Sequence, residues 1–214
     1  MASRITSRRL VPLLAFMVFL IAGTAPVRAD KPDEAATFIN DFGHRAISEL
    51  TTSNLTDDEL FKRFRNLFEE GFDVPFIAKS ALGRFWARAS DQEKADYVPA
   101  FEAYVSQIYA MKFREYSGES FQANSSQPGP EDMVTVTSSV AKPDSAPTNV
   151  QWVVGNVDGK LKIRDIKIEG VSMVSTYRDQ FANEILQHDG KVAGLIEALR
   201  QKAAHLTDGS AGNG

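Results

Sequence analysis

The sequence predicts an α+β fold in which helices at both ends of the chain pack on one curved antiparallel sheet of about four strands. Three observations predict it. Apolar residues recur at helical spacing from residue 30 to residue 116, alternate with a period of two from residue 118 to residue 169, then return to helical spacing up to residue 206. Asp158-Gly159, set between two alternating runs, supplies the positive-φ pair of a tight hairpin turn. The second of those runs changes phase in its middle, and a strand does that only through a bulge, which bends the sheet.

The chain of 214 residues begins with Arg4, Arg8 and Arg9, an apolar run over residues 10–23, and Val27-Arg28-Ala29, small at the positions a signal peptidase inspects. That pattern is a secretory signal peptide cleaved after Ala29. A transmembrane anchor is the competing reading, but the run falls short of the ~20 apolar residues of a span. With no Cys, the cleavage point has no lipid attachment site. The expected product is soluble and exported, with residues 30–206 as a single domain and residues 207–214 as a disordered tail.

Cleavage removes four arginines and no acid, leaving 20 basic residues against 28 acidic, a net charge of −8. Nucleic acid selects basic faces, so it is not an expected partner. A cysteine-free protein in an oxidising space must draw its stability from a packed core, and 14 Phe are a generous supply.

Residues 30–51 place Ala35, Phe38, Ile39, Phe42, Ala46, Ile47 and Leu50 at three- and four-residue spacing, an amphipathic helix. Thr56 with Glu59 forms a capping box for a second helix, ending near Gly71. Asp73 ahead of Pro75 starts a third, which Gly83 closes. Ser90 with Glu93 opens the longest helical pattern, residues 91–116. Pro99 lies inside it, where a kink or break is expected at Tyr97-Val98. Tyr104 and Tyr109 of this helix either direct hydroxyls at a cavity mouth or pack in core with the hydroxyl reaching solvent.

Strands are expected at residues 121–124, 133–142, 149–157 and 161–169, with the turn-rich loops SSQPGPED and KPDSAPT preceding the second and third. In the fourth, Leu161 and Ile163 share a face, but Ile166 and Ile168 are out of phase with them, which puts a bulge at Arg164-Asp165. Gly170 and the connector at residues 171–174 then lead into a helix from about Thr176. A final helix covers residues 192–206.

No catalytic or metal constellation emerges, and the sequence calls for no cofactor. Gly170-Val171-Ser172-Met173-Val174 lacks the second glycine of a nucleophile elbow. His44, His188 and His205 are scattered, which excludes a compact zinc motif. No glycine-rich phosphate loop is present.

Two stretches carry a resemblance: Phe72-Asp73 with Ala81-Leu82-Gly83, and Gly170-Val171-Ser172 followed by Tyr177-Arg178-Asp179-Gln180-Phe181. In this order behind a signal peptide, and over about residues 35–206, the chain resembles the MlaC family of periplasmic phospholipid-binding, or toluene-tolerance, proteins. The resemblance implies a cone-like sheet similar to that of nuclear transport factor, enclosing acyl chains with the head group near solvent. It implies a monomeric, non-enzymatic carrier in the periplasm. Its implied partners are phospholipid, an inner-membrane ABC transporter with an MCE-domain subunit, and an outer-membrane lipoprotein–porin complex, a system that maintains outer-membrane lipid asymmetry.

On that reading the lipid cavity is expected to be lined by Phe76, Phe85, Tyr104 and Ile108 from the helices. Val134, Val136, Trp152, Val154, Ile166 and Ile168 are expected from the sheet, and Val171, Met173, Val174 and Tyr177 from the connector and the helix it enters. Lys79, Arg84 and Arg178 are the cations expected near a head group or docking partner. Hopanoid or other isoprenoid cargo stays open, as does a non-carrier adaptor. So does an enzyme on the same scaffold, for which Asp165 is the one candidate acid or base.

Overall fold

A computed structural model describes residues 31–142 and 145–207. The expected signal peptide and nearly all of the expected tail lie outside the described residues. Six helices and five strands follow in the order α1 (Lys31–Leu50), α2 (Asp57–Gly71), α3 (Val74–Leu82), α4 (Asp91–Lys112), β1 (Ser120–Pro128), β2 (Val134–Ala141), β3 (Thr148–Val157), β4 (Lys160–Ile168), β5 (Val171–Ser172), α5 (Met173–Gln187) and α6 (Val192–Thr207). The strands form one antiparallel sheet in the order β1-β2-β3-β4-β5.

Local chemistry sets the boundaries. At α2 the Glu59 backbone N–H donates to Thr56 Oγ1 at 3.2 Å while Thr56 N–H donates to Glu59 at 2.9 Å. Ser90 and Glu93 make the same reciprocal pair at 3.1 and 2.8 Å at the start of α4. Each pair satisfies two amides that a helix start leaves without partners. Asp73 caps α3 by accepting from Phe76 N–H. Asp158 (φ 51°) and Gly159 (φ 83°) turn β3 into β4.

The expected bulge is present. Val153 pairs with Asp165 and Val154 with Ile163, so Arg164 is the extra residue of β4. That offset lets Ile163, Ile166 and Ile168 face the same side. A second register shift, at Ala123/Ser125, marks β1. Bulges increase local twist and bend.

Three expectations are refined or corrected. To the four expected strands the sheet adds a fifth of two residues, because Glu169 (φ 48°) and Gly170 (φ 82°) form a second tight turn, which folds Val171-Ser172 back against β4. Residues 173–174 belong to α5 and not to a connector, because Ser172 caps that helix by accepting from Ser175 N–H at 3.1 Å. Finally, α4 runs through Pro99 as one continuous helix, so of the kink or break expected there the break does not occur. A proline inside a helix costs about 3 kcal/mol; Tyr97, Ala100 and Phe101 around it are all buried in the helical core, and that packing offsets the cost.

The interior is divided. One apolar cluster joins α3, α4, α5 and α6; a second joins α1 to the sheet through Ala35, Ile39, Val134, Val136, Val154 and Ile163; a third lies among α1, α2 and α4. Phe42, Phe64 and Phe72 each pack against two of the three. Helices and sheet are also joined by polar contacts, among them a seam where Asp73 N–H donates to Ile163 O at 2.9 Å and Arg164 Nε meets the Asp73 carboxylate at 3.0 Å. Arg164 also lies 4.6 Å over the Phe76 ring.

Candidate lipid cavity

Where the three clusters meet, they leave a cavity of about 530 Å³, within the ~300–1,000 Å³ range of small-molecule sites. Helix α1 contributes Phe42, Gly43, Ala46, Ile47 and Leu50; α2 contributes Phe64, Leu67 and Phe68, with Phe72 beyond it. The stripe Phe101, Val105, Tyr109 and Lys112 comes from α4, and Phe113 from the turn that follows. The sheet adds Phe121, Val140, Val150, Trp152, Asp165, Ile166 and Ile168, and α5 adds Met173, Val174 and Tyr177. Half of the chain's 14 Phe therefore face this space. Their rings pack on one another around it, Phe68 to Phe72 at 4.8 Å and Phe42 edge-on to Phe72 at 5.8 Å.

The polar lining gathers at one end, where Lys112, Glu115 and Lys142 are exposed and Ile168 is 40% exposed. This end is the mouth. Glu119 sits there with its carboxylate accepting from Ser117 N–H at 2.8 Å and facing Lys142 Nζ at 3.2 Å. Those backbone donors and the lysine hold its carboxyl down at about 2. Deeper in, burial pushes the Tyr109 and Tyr177 hydroxyls above their ordinary range, so both are neutral donors at any physiological pH.

Asp165 reaches the lining but is already engaged. Ser172 Oγ donates to it at 2.6 Å and Val174 N–H at 3.1 Å. Both oxygens are taken at the start of α5, so the carboxylate orients a helix. The Trp152 indole likewise donates its N–H to Ser138 Oγ at 2.8 Å. Among the described residues no group of three His, Cys, Asp or Glu is placed to hold a metal ion.

Of the residues expected at a cavity, the structure brings Trp152, Ile166, Ile168, Met173, Val174 and Tyr177 together there. The other eight lie elsewhere. Val134, Val136 and Val154 are on the correct face of the sheet but are buried in the cluster with Ala35 and Ile39 of α1. Phe85 is in the helical core, and Phe76 is under Arg164. Tyr104 packs on the Tyr177 and Phe181 rings at 6.3 and 6.5 Å. Ile108 precedes Tyr109 by ~100° of helix, off the stripe that faces the cavity. Val171 points outward, 61% exposed, on the hairpin with β5.

The cations expected at a head group are also away from the mouth. Arg178 donates to Ser80 O at 2.9 Å and so gathers with Lys79 and Arg84 around the C-terminal end of α3. Lys112 and Lys142 occupy the mouth instead.

The residues that sequence reasoning missed are chiefly Phe42, Phe64, Phe68, Phe72, Phe101, Phe113 and Phe121. A usable signal existed. Phe64, Phe68 and Phe72 form a row at four-residue steps, and small Gly43 and Gly71 sit against rings: a Cβ on Gly43 would overlap Phe121 and one on Gly71 would overlap Phe42.

The profile of a family described as "MlaC protein" matches residues 40–201 of this chain. Toluene tolerance protein ttg2D of Pseudomonas putida is 22% identical to it over 160 residues, which spans 69% of this chain and 74% of that protein. Among solved structures, the fold is similar to that of a phospholipid-binding protein from Ralstonia solanacearum, solved in complex with a phospholipid. The TM-score is 0.68 at 21% identity, over 81% of this chain and 98% of that one.

Proposed function

The chain belongs to the MlaC protein family, and from that premise we propose that it is a lipid carrier, holding phospholipid acyl chains in the cavity with the head group at the mouth. The observation that carries this reading is the cavity itself, whose lining below the charged mouth is seven Phe, other apolar side chains, three tyrosines and the already engaged Asp165. Two chains of roughly 16 carbons hold about 30 methylenes, and keeping these out of water is worth on the order of 24 kcal/mol at ~0.8 kcal/mol each. A carrier therefore needs an apolar enclosure more than it needs a catalyst, and the engagement of Asp165 at α5 speaks against the one acid nominated for catalysis. A cavity of about 530 Å³ in place of a closely packed interior speaks against a pure adaptor.

The carrier works in the periplasm after loss of residues 1–29. There it shuttles lipid between an outer-membrane lipoprotein–porin complex and an inner-membrane ABC transporter with an MCE-domain subunit. The cluster of Lys79, Arg84 and Arg178, remote from the mouth, is assigned to docking one of them. Native mass spectrometry of the purified exported protein tests the core of the reading. The expected spectrum shows a chain beginning at Asp30 and carrying a phospholipid mass. A protein without that mass, both as purified and after incubation with phospholipid vesicles, overturns the carrier; one that retains residues 1–29 overturns the export.

A further inference from the structure

Helix α4 presents Phe101, Val105, Tyr109 and Lys112 to the cavity, at intervals of four, four and three residues that keep them on one face. They are graded by depth: Lys112 is exposed, Tyr109 is half-buried, and Val105 and Phe101 are buried. At a rise of ~1.5 Å per residue, Tyr109 stands about 4.5 Å inward of Lys112 along the helix.

The Tyr109 hydroxyl lacks a strong acceptor. Tyr177 donates its own proton to the Tyr109 oxygen at 3.3 Å, which leaves the Tyr109 proton directed at Met173 Sδ, 4.0 Å away. A thioether sulfur is a weak acceptor. A half-buried O–H donor in an apolar wall gains from a better one, because a poorly satisfied polar group in such a setting carries a desolvation cost.

Resting on the carrier reading, we propose that the Tyr109 hydroxyl is a subsite for the ester carbonyl of an acyl chain, oriented by Tyr177, with the phosphate end of the same lipid at Lys112. In a diacyl phospholipid the ester carbonyls are the acceptors that lie a few bonds inward of the phosphate, the same order that α4 presents. Chains joined by ether linkages lack the carbonyl and present only a weaker ether oxygen. The cavity therefore distinguishes the linkage as well as the chain.

The test uses the stripped mature protein and vesicles that contain equal amounts of a diester and a diether phosphocholine lipid of the same chain length, with native mass spectrometry reading the ratio bound. Wild type is expected to favour the ester roughly 2- to 10-fold, the range set by one net hydrogen bond. Tyr109→Phe is expected to bring the ratio to about one while total uptake persists, and Tyr177→Phe to lower it part of the way. A wild-type ratio of one, or a preference that survives Tyr109→Phe, overturns the subsite and leaves the carrier standing. Uptake of neither lipid overturns both. The wild-type ratio decides the matter even where a variant does not fold.

Discussion

Stripping the cargo is expected to cost the protein much of its stability. An apolar cavity is penalised at about 24 cal/mol per Å³, so ~530 Å³ left empty has a ceiling near 13 kcal/mol, comparable to the ~5–15 kcal/mol total of an ordinary domain. Water at the Lys112–Lys142 mouth and partial collapse of the walls lower that figure. If a third of the ceiling survives, about 4 kcal/mol, the midpoint shifts by about 8–16 °C for a chain of this size. The assay is scanning calorimetry on matched samples, one loaded and one stripped in detergent and returned to buffer, with lipid content checked by mass spectrometry. The stripped protein should melt at least 8 °C lower, and re-addition of phospholipid should restore the midpoint as mass action requires. A stripped protein that melts within ~2 °C of the loaded one refutes the reasoning, since the cavity would then not be a cost that cargo relieves.

Four further outcomes follow from single sites. Arg164→Ala should cost about 2–3 kcal/mol in urea titrations by leaving the largely buried Asp73 carboxylate unpaired; Asp73→Ala should cost about 1 kcal/mol more, because it also removes the cap of α3. Glu119 is held at about 2, below its unfolded value of ~4.3, so its contribution is fully present above that unfolded value and is lost as pH falls toward 2; Glu119→Gln should flatten the stability profile over that window, and an unchanged acid slope would count against the assignment. Gly71→Ala would place a methyl within the Phe42 ring and push the ring into the cavity; a cost of ~1–3 kcal/mol with reduced lipid load is expected, and full loading would show that the ring moves elsewhere.

Much of the fold was legible because its signals are local. Thr56/Glu59 and Ser90/Glu93 declare helix starts within four residues, Asp158-Gly159 declares a turn within two, and the phase change at Arg164 needs only the strand that contains it. Pro99 does not break its helix because that helix is held by distant partners: Tyr97 donates to Ala78 O at 3.1 Å, nineteen residues back. Ser172 was read against a catalytic motif when its hydroxyl serves α5 and Asp165. The cavity was half legible for one physical reason. Alternation tells which face of a strand is apolar, but not which end of that face another element covers. Trp152 and Val154 share a face two residues apart, and α1 packs over Val154 while Trp152 lines the space. Likewise the phenylalanines of α1 and α2 have one periodicity whether they meet side chains or a void, so they read as core.

Phe42, Phe64 and Phe72, each shared by two apolar clusters, stand where most proteins have their densest packing. In an ordinary protein, a substitution that fills an existing void without strain improves the fold and harms nothing. At these positions the two are opposed: a bulkier or better-seated side chain strengthens the polypeptide and displaces its passenger. Directed evolution for thermostability alone would therefore tend to close this protein, and the variants it enriched would be the ones with least to deliver.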